Sequence, residues 1–118
     1  MARLDTVAFP AMAVFDASHQ KADKWQVLKC LEEAAELAEA GKAWVKDGSD
    51  VNRRAMLDEL ADVLQTLANL IDAYEITPDE LRLSCGRVFE KNSARGMYLP
   101  GARSRMSREG DEHAGNDA

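Results

Sequence analysis

The feature that most constrains this chain is a long helical pattern without proline, interrupted once by a turn. Residues 18–47 and 51–75 lack proline, and their apolar residues recur at the three- and four-residue spacing of an α-helix. The segment 47–50, Asp-Gly-Ser-Asp, is typical of a turn, with Gly48 as the expected C-cap. The sequence therefore predicts two long helices joined by a tight connection.

The rest of the chain adds one more predicted helix and two flanking segments. A helix is expected over about 78–93, because Pro78 follows a threonine that can cap it and suits the first helical position. Residues 1–17 are predicted to be an N-terminal arm, 18–100 a helical domain and 101–118 a disordered tail. No alternating pattern favours strands, so the predicted fold class is all-α.

Composition narrows the class of protein. The chain has 118 residues, a formal net charge of −6 and 46% hydrophobic residues, which favours one soluble globular domain and argues against broad binding to nucleic acid or anionic membranes. The N-terminus lacks a signal-peptide pattern, and no apolar run approaches ~18 residues. Cys30 and Cys85 lie in helical patterns and are expected to be small core residues of a reduced protein. A cytoplasmic location is predicted.

Two acidic pairs stand out at the centre of the sequence. Glu33 and Glu36 are three residues apart, as are Glu59 and Asp62, so each pair shares one helix face at about 300° of rotation. On a helical wheel both pairs lie at the same edge of an apolar arc. The arc contains Val27, Cys30, Leu31, Ala34, Leu37 and Ala38 in the first helix, and Met56, Leu57, Leu60, Val63, Leu64, Leu67, Leu70 and Ile71 in the second.

Packing of these arcs would bring four carboxylates together at the rim of the core. Converging carboxylates repel one another, and a divalent cation relieves that repulsion. Ligand sets made only of oxygen suit Mg²⁺ or Mn²⁺ better than zinc. A solvated acidic helix face explains either pair alone equally well, so that alternative stays open at this point.

The two motifs resemble a known family. Residues 32–36 read Glu-Glu-Ala-Ala-Glu and residues 59–62 read Glu-Leu-Ala-Asp, separated by the 22 residues 37–58. This EExxE…ExxD pattern is similar to that of the all-α nucleotide pyrophosphohydrolases of the MazG type, which include dimeric dUTPases, dCTP pyrophosphatases and phosphoribosyl-ATP pyrophosphatases. The resemblance covers roughly 21–99. Asp58 departs from the glutamate that many members carry there, which puts a role for that position in doubt.

The resemblance implies roles for individual residues. It makes Glu33, Glu36, Glu59 and Asp62 the ligands of Mg²⁺, with Mn²⁺ as an alternative ion. Glu32 becomes the candidate catalytic residue, through a second metal ion or by orienting water.

Substrate contacts are expected from residues outside the acidic motifs. The resemblance implies that Lys91, Asn92 and Arg95 contact phosphates, although basic residues at a helix end also balance its dipole. Trp44 and Lys24 are weaker candidates for substrate binding, and a core position is the favoured interpretation for Trp44.

The implied activity is Mg²⁺-dependent hydrolysis of a nucleoside triphosphate to the monophosphate and pyrophosphate, in clean-up or control of the nucleotide pool. The implied fold is a four-helix-bundle-like core of antiparallel helices, completed in a homodimer or homotetramer. Two alternatives remain: a non-catalytic helical interaction module, and a relative of the phosphoribosyl-ATP pyrophosphatases. Neither nucleic acid nor a membrane is an expected partner.

Overall fold

The computed structural model describes residues 5–98, and all their regular structure is helical. Three helices follow a short 3-10 turn at Ala17–His19: α1 (Lys24–Lys46), α2 (Asp50–Ala73) and α3 (Pro78–Ala94). The all-α prediction is confirmed for this part of the chain. The predicted tail, 101–118, lies outside the described residues. None of the described helices is both long and apolar enough to cross a membrane.

The first helix begins later than the sequence predicted. Its N-cap is Asp23, whose Oδ1 accepts a hydrogen bond from the backbone N–H of Gln26 at 3.1 Å. Ahead of it, Asp16 caps the separate 3-10 turn by accepting from the backbone N–H of Ser18 at 3.0 Å. The prediction of a helix from residue 18 was therefore wrong, because two aspartate caps divide that segment into two elements.

The connection between α1 and α2 is short and closed by hydrogen bonds. The C-cap of α1 is Asp47, whose N–H donates to the carbonyl of Ala43 at 2.9 Å, so the expectation that Gly48 is the C-cap was wrong by one residue. Ser49 then caps α2 by accepting from the backbone N–H of Asn52 at 3.2 Å. Asn52 Nδ2 also donates to the Asp47 carbonyl at 2.8 Å, which locks the turn.

The remaining three helix ends lie close to their predicted positions. Helix α2 stops at Ala73, two residues before its predicted end, and Glu75 takes a left-handed backbone with φ of 54°. Helix α3 begins at Pro78 as predicted and ends at Ala94. Gly96 follows with φ of 80°, a conformation that glycine adopts without a steric penalty.

Because the connection is short, α1 and α2 pack as an antiparallel hairpin. Asp23 at the start of α1 accepts through its carbonyl from the Tyr74 hydroxyl just after α2, at 3.0 Å. The arm before α1 lies along the hairpin as well. Gln65 Nε2 donates to the Ala13 carbonyl at 2.7 Å, and the Phe15 N–H donates to Asn69 Oδ1 at 3.0 Å.

The chain divides into two compact units. One is Ala11–Thr77, which contains α1 and α2, and the other contains, of the described residues, 5–10 and 78–98. In the second unit, the Tyr98 ring stacks on Phe89 with ring centroids 4.7 Å apart.

Burial within one chain is shallow. Among the described residues no apolar side chain is buried, and the two buried residues are polar: Thr66 and Asn69, at 6% and 4% exposure. Cys30 is half-buried and Cys85 is exposed, so the prediction of a core position for Cys85 was wrong for the single chain. The apolar arcs of α1 and α2 are therefore only partly covered by each other.

Candidate metal site

The hairpin brings three acidic side chains together. Glu33 comes from α1, while Glu59 and Asp62 come from successive turns of α2. Each offers a carboxylate oxygen, and these oxygens all lie within 4.8 Å of one another. The arrangement follows from the sequence, because an i, i+3 pair lies on one helix face and the antiparallel turn places Glu33 opposite that face. We refer to Glu33, Glu59 and Asp62 as the carboxylate triad.

Glu59 carries a carboxylate oxygen that is occluded from solvent. Its Oε1 is sealed from solvent and has no hydrogen-bond partner among residues 5–98. Burial raises the pKa of Glu59, and the neighbouring carboxylates, Glu36 foremost, raise it further. An occluded carboxylate oxygen without a donor, beside other acids, is a position that a bound cation would stabilise.

Glu36 lies at the edge of this arrangement. It is exposed and is not one of the three residues whose oxygens meet within 4.8 Å. Its charge nevertheless acts on Glu59, since it is the largest contributor after burial to the raised pKa of that group. A change of rotamer is enough to vary how close a glutamate carboxylate comes to a neighbour, so Glu36 remains a predicted ligand.

Glu32, the candidate catalytic residue, is not one of the three residues whose oxygens meet in the triad. Its Oε1 lies 2.9 Å from Lys29 Nζ, and its side chain is 61% exposed. The same lysine lies 3.7 Å from Glu33 Oε2, and Glu32 followed by Glu33 raises the pKa of Lys29. Lys29 therefore places one positive charge beside the triad, a neighbour that the sequence reasoning did not identify.

The predicted phosphate contacts lie at the end of α3, with Lys91 and Asn92 in its last turn and Arg95 directly after it. They belong to the second unit. Arg95 Nη1 donates to Asn92 Oδ1 at 3.0 Å, and Asn92 Nδ2 donates to the Tyr98 hydroxyl at 3.5 Å. Lys91 is exposed one turn before Arg95, whose N–H contacts the Lys91 carbonyl at 3.3 Å. Lys91 and Arg95 are thus available on one helix end, and their role in phosphate binding stays a prediction.

Trp44 and Lys24 lie apart from the triad. Trp44 borders a second cavity of about 590 Å³ with Gly41 and Met56, and the Arg53 guanidinium lies 5.7 Å from its ring centre. Lys24 Nζ lies 5.3 Å from the ring centre of Trp25. Substrate binding by Trp44 and Lys24 stays a prediction.

A cavity of about 500 Å³ opens beside the carboxylate triad within the Ala11–Thr77 unit. Its lining includes Glu33, Asp62, Gln65, Thr66, Asn69, Gln26, Trp25 and Phe15. The polar residues of α2 in this lining were not identified from the sequence. A signal was present, since Asp62, Thr66 and Asn69 follow Glu59 at steps of three, four and three residues, which is a single polar stripe on one helix face.

Comparison of the chain with models of known protein families found no match. Comparisons with curated proteins and with solved structures also found none. The resemblance to the MazG type therefore rests on the two acidic motifs.

Proposed function

We propose that this chain is a Mg²⁺-dependent nucleoside triphosphate pyrophosphohydrolase that releases a nucleoside monophosphate and pyrophosphate. The observation that carries the proposal is the sealed, unpartnered Oε1 of Glu59, which is a member of the carboxylate triad. A purely solvated acidic face would leave this oxygen in contact with water. The proposal also rests on the resemblance of the EExxE and ExxD motifs to the MazG-type enzymes.

The donor set decides which ion fits. The triad offers carboxylate oxygens only, with no cysteine or histidine among the three, which suits Mg²⁺ or Mn²⁺. Glu33, Glu59 and Asp62 would hold the ion, and Glu36 would join from the edge of the site. When bound, the ion supplies neutralisation of phosphate charge and a water of lowered pKa.

The other predicted site residues have roles toward the attacking water and the phosphates. Glu32, exposed beside Lys29, would orient the attacking water or accept its proton. The resemblance makes Lys91, Asn92 and Arg95 the candidates for phosphate binding, with Arg95 offering a bidentate fork and Lys91 a compact charge. The α-phosphorus is then attacked by water, and pyrophosphate leaves. The resulting role is clean-up or control of a nucleotide pool.

We also propose that a second copy of this chain completes the core. Each hairpin contributes two helices, and two hairpins paired through their apolar arcs make a four-helix bundle. Support comes from the exposure of arc residues in the single chain: Val27, Leu31, Leu57, Leu60 and Leu67 are 40–68% exposed. A homodimer, or a homotetramer built from it, would bury them.

The exposed apolar surface also supports a different function, that of a non-catalytic helical interaction module. On that alternative the acids serve recognition or solubility. The interaction-module alternative does not explain the occlusion of Glu59 Oε1, and for that reason we favour the enzyme.

Pyrophosphate release tests the proposal. The assay uses a panel of ribo- and deoxyribonucleoside triphosphates with and without Mg²⁺, and compares the wild type with Glu59→Gln and Glu36→Gln. Glu39→Gln is the matched control, because Glu39 lies on the same helix as Glu36 and pairs with Lys42 at the surface, at 3.2 Å. Loss of turnover in the first two variants and retention in the third supports the proposal. Metal-independent turnover, or equal rates in all variants, would refute it.

A further inference from the structure

The cavity beside the carboxylate triad changes character along α2. At one end it is bordered by the acids Glu33 and Asp62, and further along by the amides of Gln65 and Asn69. Asn69 follows Asp62 by seven residues, which is about 10 Å along a helix. The cavity has a volume of about 500 Å³, which is in the range of small-molecule sites. The remaining lining includes Lys21, Asp23 and Lys29. Along α2 itself, the change from carboxylates to amides would match a ligand with a charged end and a polar, uncharged end.

Asn69 is held rigidly at the amide end of the α2 lining. Its Oδ1 accepts hydrogen bonds from the Phe15 N–H at 3.0 Å and from Gln65 Nε2 at 3.1 Å. A backbone N–H can only donate, so the atom facing Phe15 must be the amide oxygen, and the positions of oxygen and nitrogen in Asn69 are fixed by chemistry. With 4% exposure, the side chain has little freedom to move.

The amide nitrogen of Asn69 is left with its donors unused. Nδ2 donates to no other residue within 5–98, since both hydrogen bonds of the side chain are made by Oδ1. It is not sealed either, because Glu59 Oε1 is the only side-chain nitrogen or oxygen in this range that is both occluded and unpartnered. The nearly buried amide of Asn69, a residue that lines the cavity, therefore keeps a preorganised donor free.

Aromatic side chains border the same cavity. Trp25 lines the cavity and is 67% exposed. Phe15 lines it as well, and its backbone N–H donates a hydrogen bond to Asn69. Flat aromatic faces and a fixed amide donor together suit a heteroaromatic ring that carries an acceptor in its plane.

We propose that Asn69 selects the base of the nucleotide, by donating from Nδ2 to a carbonyl oxygen on the ring. This inference rests on the proposed function for the placement of the phosphates at the carboxylate triad. Uracil, thymine, cytosine and guanine carry such an exocyclic oxygen. Adenine carries an exocyclic amino donor instead and accepts only at its ring nitrogens, which lie further from a donor that is fixed for the oxygen. A site with a fixed, nearly buried donor discriminates against a ligand that leaves the donor unpaired, by roughly 10-fold to 100-fold.

Asn69→Asp tests the assignment with little change of shape. The aspartate keeps an oxygen for Phe15 and Gln65, and it replaces the donor by an acceptor. The readout is the ratio of kcat/KM for UTP to that for ATP, because a ratio cancels the general repulsion that an added negative charge exerts on any triphosphate. We expect a ratio of at least about 10 in the wild type and a fall of about 10-fold or more in the variant.

Asn52→Asp is the matched control. Asn52 lies on the same helix and its Nδ2 donates to the carbonyls of Ala43 and Asp47, outside the cavity. The substitution adds the same charge and removes a structural donor, so it should leave the ratio for UTP over ATP unchanged. Equal turnover of UTP and ATP by the wild type, or an unchanged ratio in Asn69→Asp, would overturn the assignment.

A binding measurement makes the test independent of turnover and of the folding of the variant. Side-chain amide NMR signals of wild-type Asn69 are followed while uridine monophosphate or adenosine monophosphate is added with Mg²⁺. A shift with the uridine nucleotide that the adenine nucleotide does not produce is expected, and its absence overturns the inference. Such a shift without pyrophosphate release from any triphosphate would refute the enzyme and keep the base site. Metal-dependent pyrophosphate release without base discrimination would support the enzyme and refute the base site.

Discussion

Truncation of Leu31 should weaken self-association of the chain. Leu31 lies on the apolar arc of α1 and is 68% exposed in the single chain. Full burial of a leucine contributes about 1.5–3 kcal/mol, so covering the part of Leu31 that is still exposed contributes about 1–2 kcal/mol per subunit. A two-fold interface contains the residue twice, which gives about 2–4 kcal/mol per dimer. Leu31→Ala should therefore raise the dimer Kd roughly 30-fold to 1,000-fold.

Sedimentation equilibrium over a range of protein concentrations measures this Kd. Val51→Ala is the control, because Val51 is 77% exposed on α2 but lies outside the apolar arc. The control should associate like the wild type. A monomeric wild type, or equal dimer Kd values for Leu31→Ala and the wild type, would refute the reasoning that the arcs pair across two copies.

Two further predictions concern the carboxylate triad. Burial raises the pKa of Glu59 above its ordinary value of 4.5. The contribution of this carboxyl to the free energy of unfolding is therefore complete below pH 4.5, and it is lost as the pH rises through the raised pKa. Without metal, Glu59→Gln should therefore have a higher Tm than the wild type at pH 7.5. The variant should also lose the Mg²⁺-induced rise in Tm. A lower Tm than the wild type would contradict this. Lys29→Met should bind Mg²⁺ about 2-fold to 5-fold more tightly, because the Lys29 cation 3.7 Å from Glu33 competes with the ion. Calorimetric titration beside Lys42→Met, a surface control, measures the difference, and an unchanged Kd would count against it.

The helices were predictable because their signals are local. Apolar periodicity, the turn at 47–50 and Pro78 placed three helices within a few residues at most ends. The start of α1 was not predictable in the same way. Asp16 and Asp23 can each cap an element, and the choice between one long helix and two elements depends on contacts made beyond the segment.

The candidate site was predictable in part for a similar reason. Convergence of Glu33, Glu59 and Asp62 follows from helix period and one tight turn. The position of Asn69 in the cavity wall depends instead on the arm, because the Phe15 N–H, 54 residues away in sequence, fixes its side chain. Long-range hydrogen bonds of this kind produce no periodic pattern in the sequence, although the polar stripe on α2 indicated the helix face that lines the cavity.

Pyrophosphate release by the wild type and by Glu59→Gln, with and without Mg²⁺, tests the central claim most directly. The account predicts release from at least one nucleoside triphosphate that requires the ion and disappears in the variant, while Glu39→Gln remains active. Release that continues in Glu59→Gln at the wild-type rate, or no release together with no Mg²⁺-induced change in Tm, would contradict it.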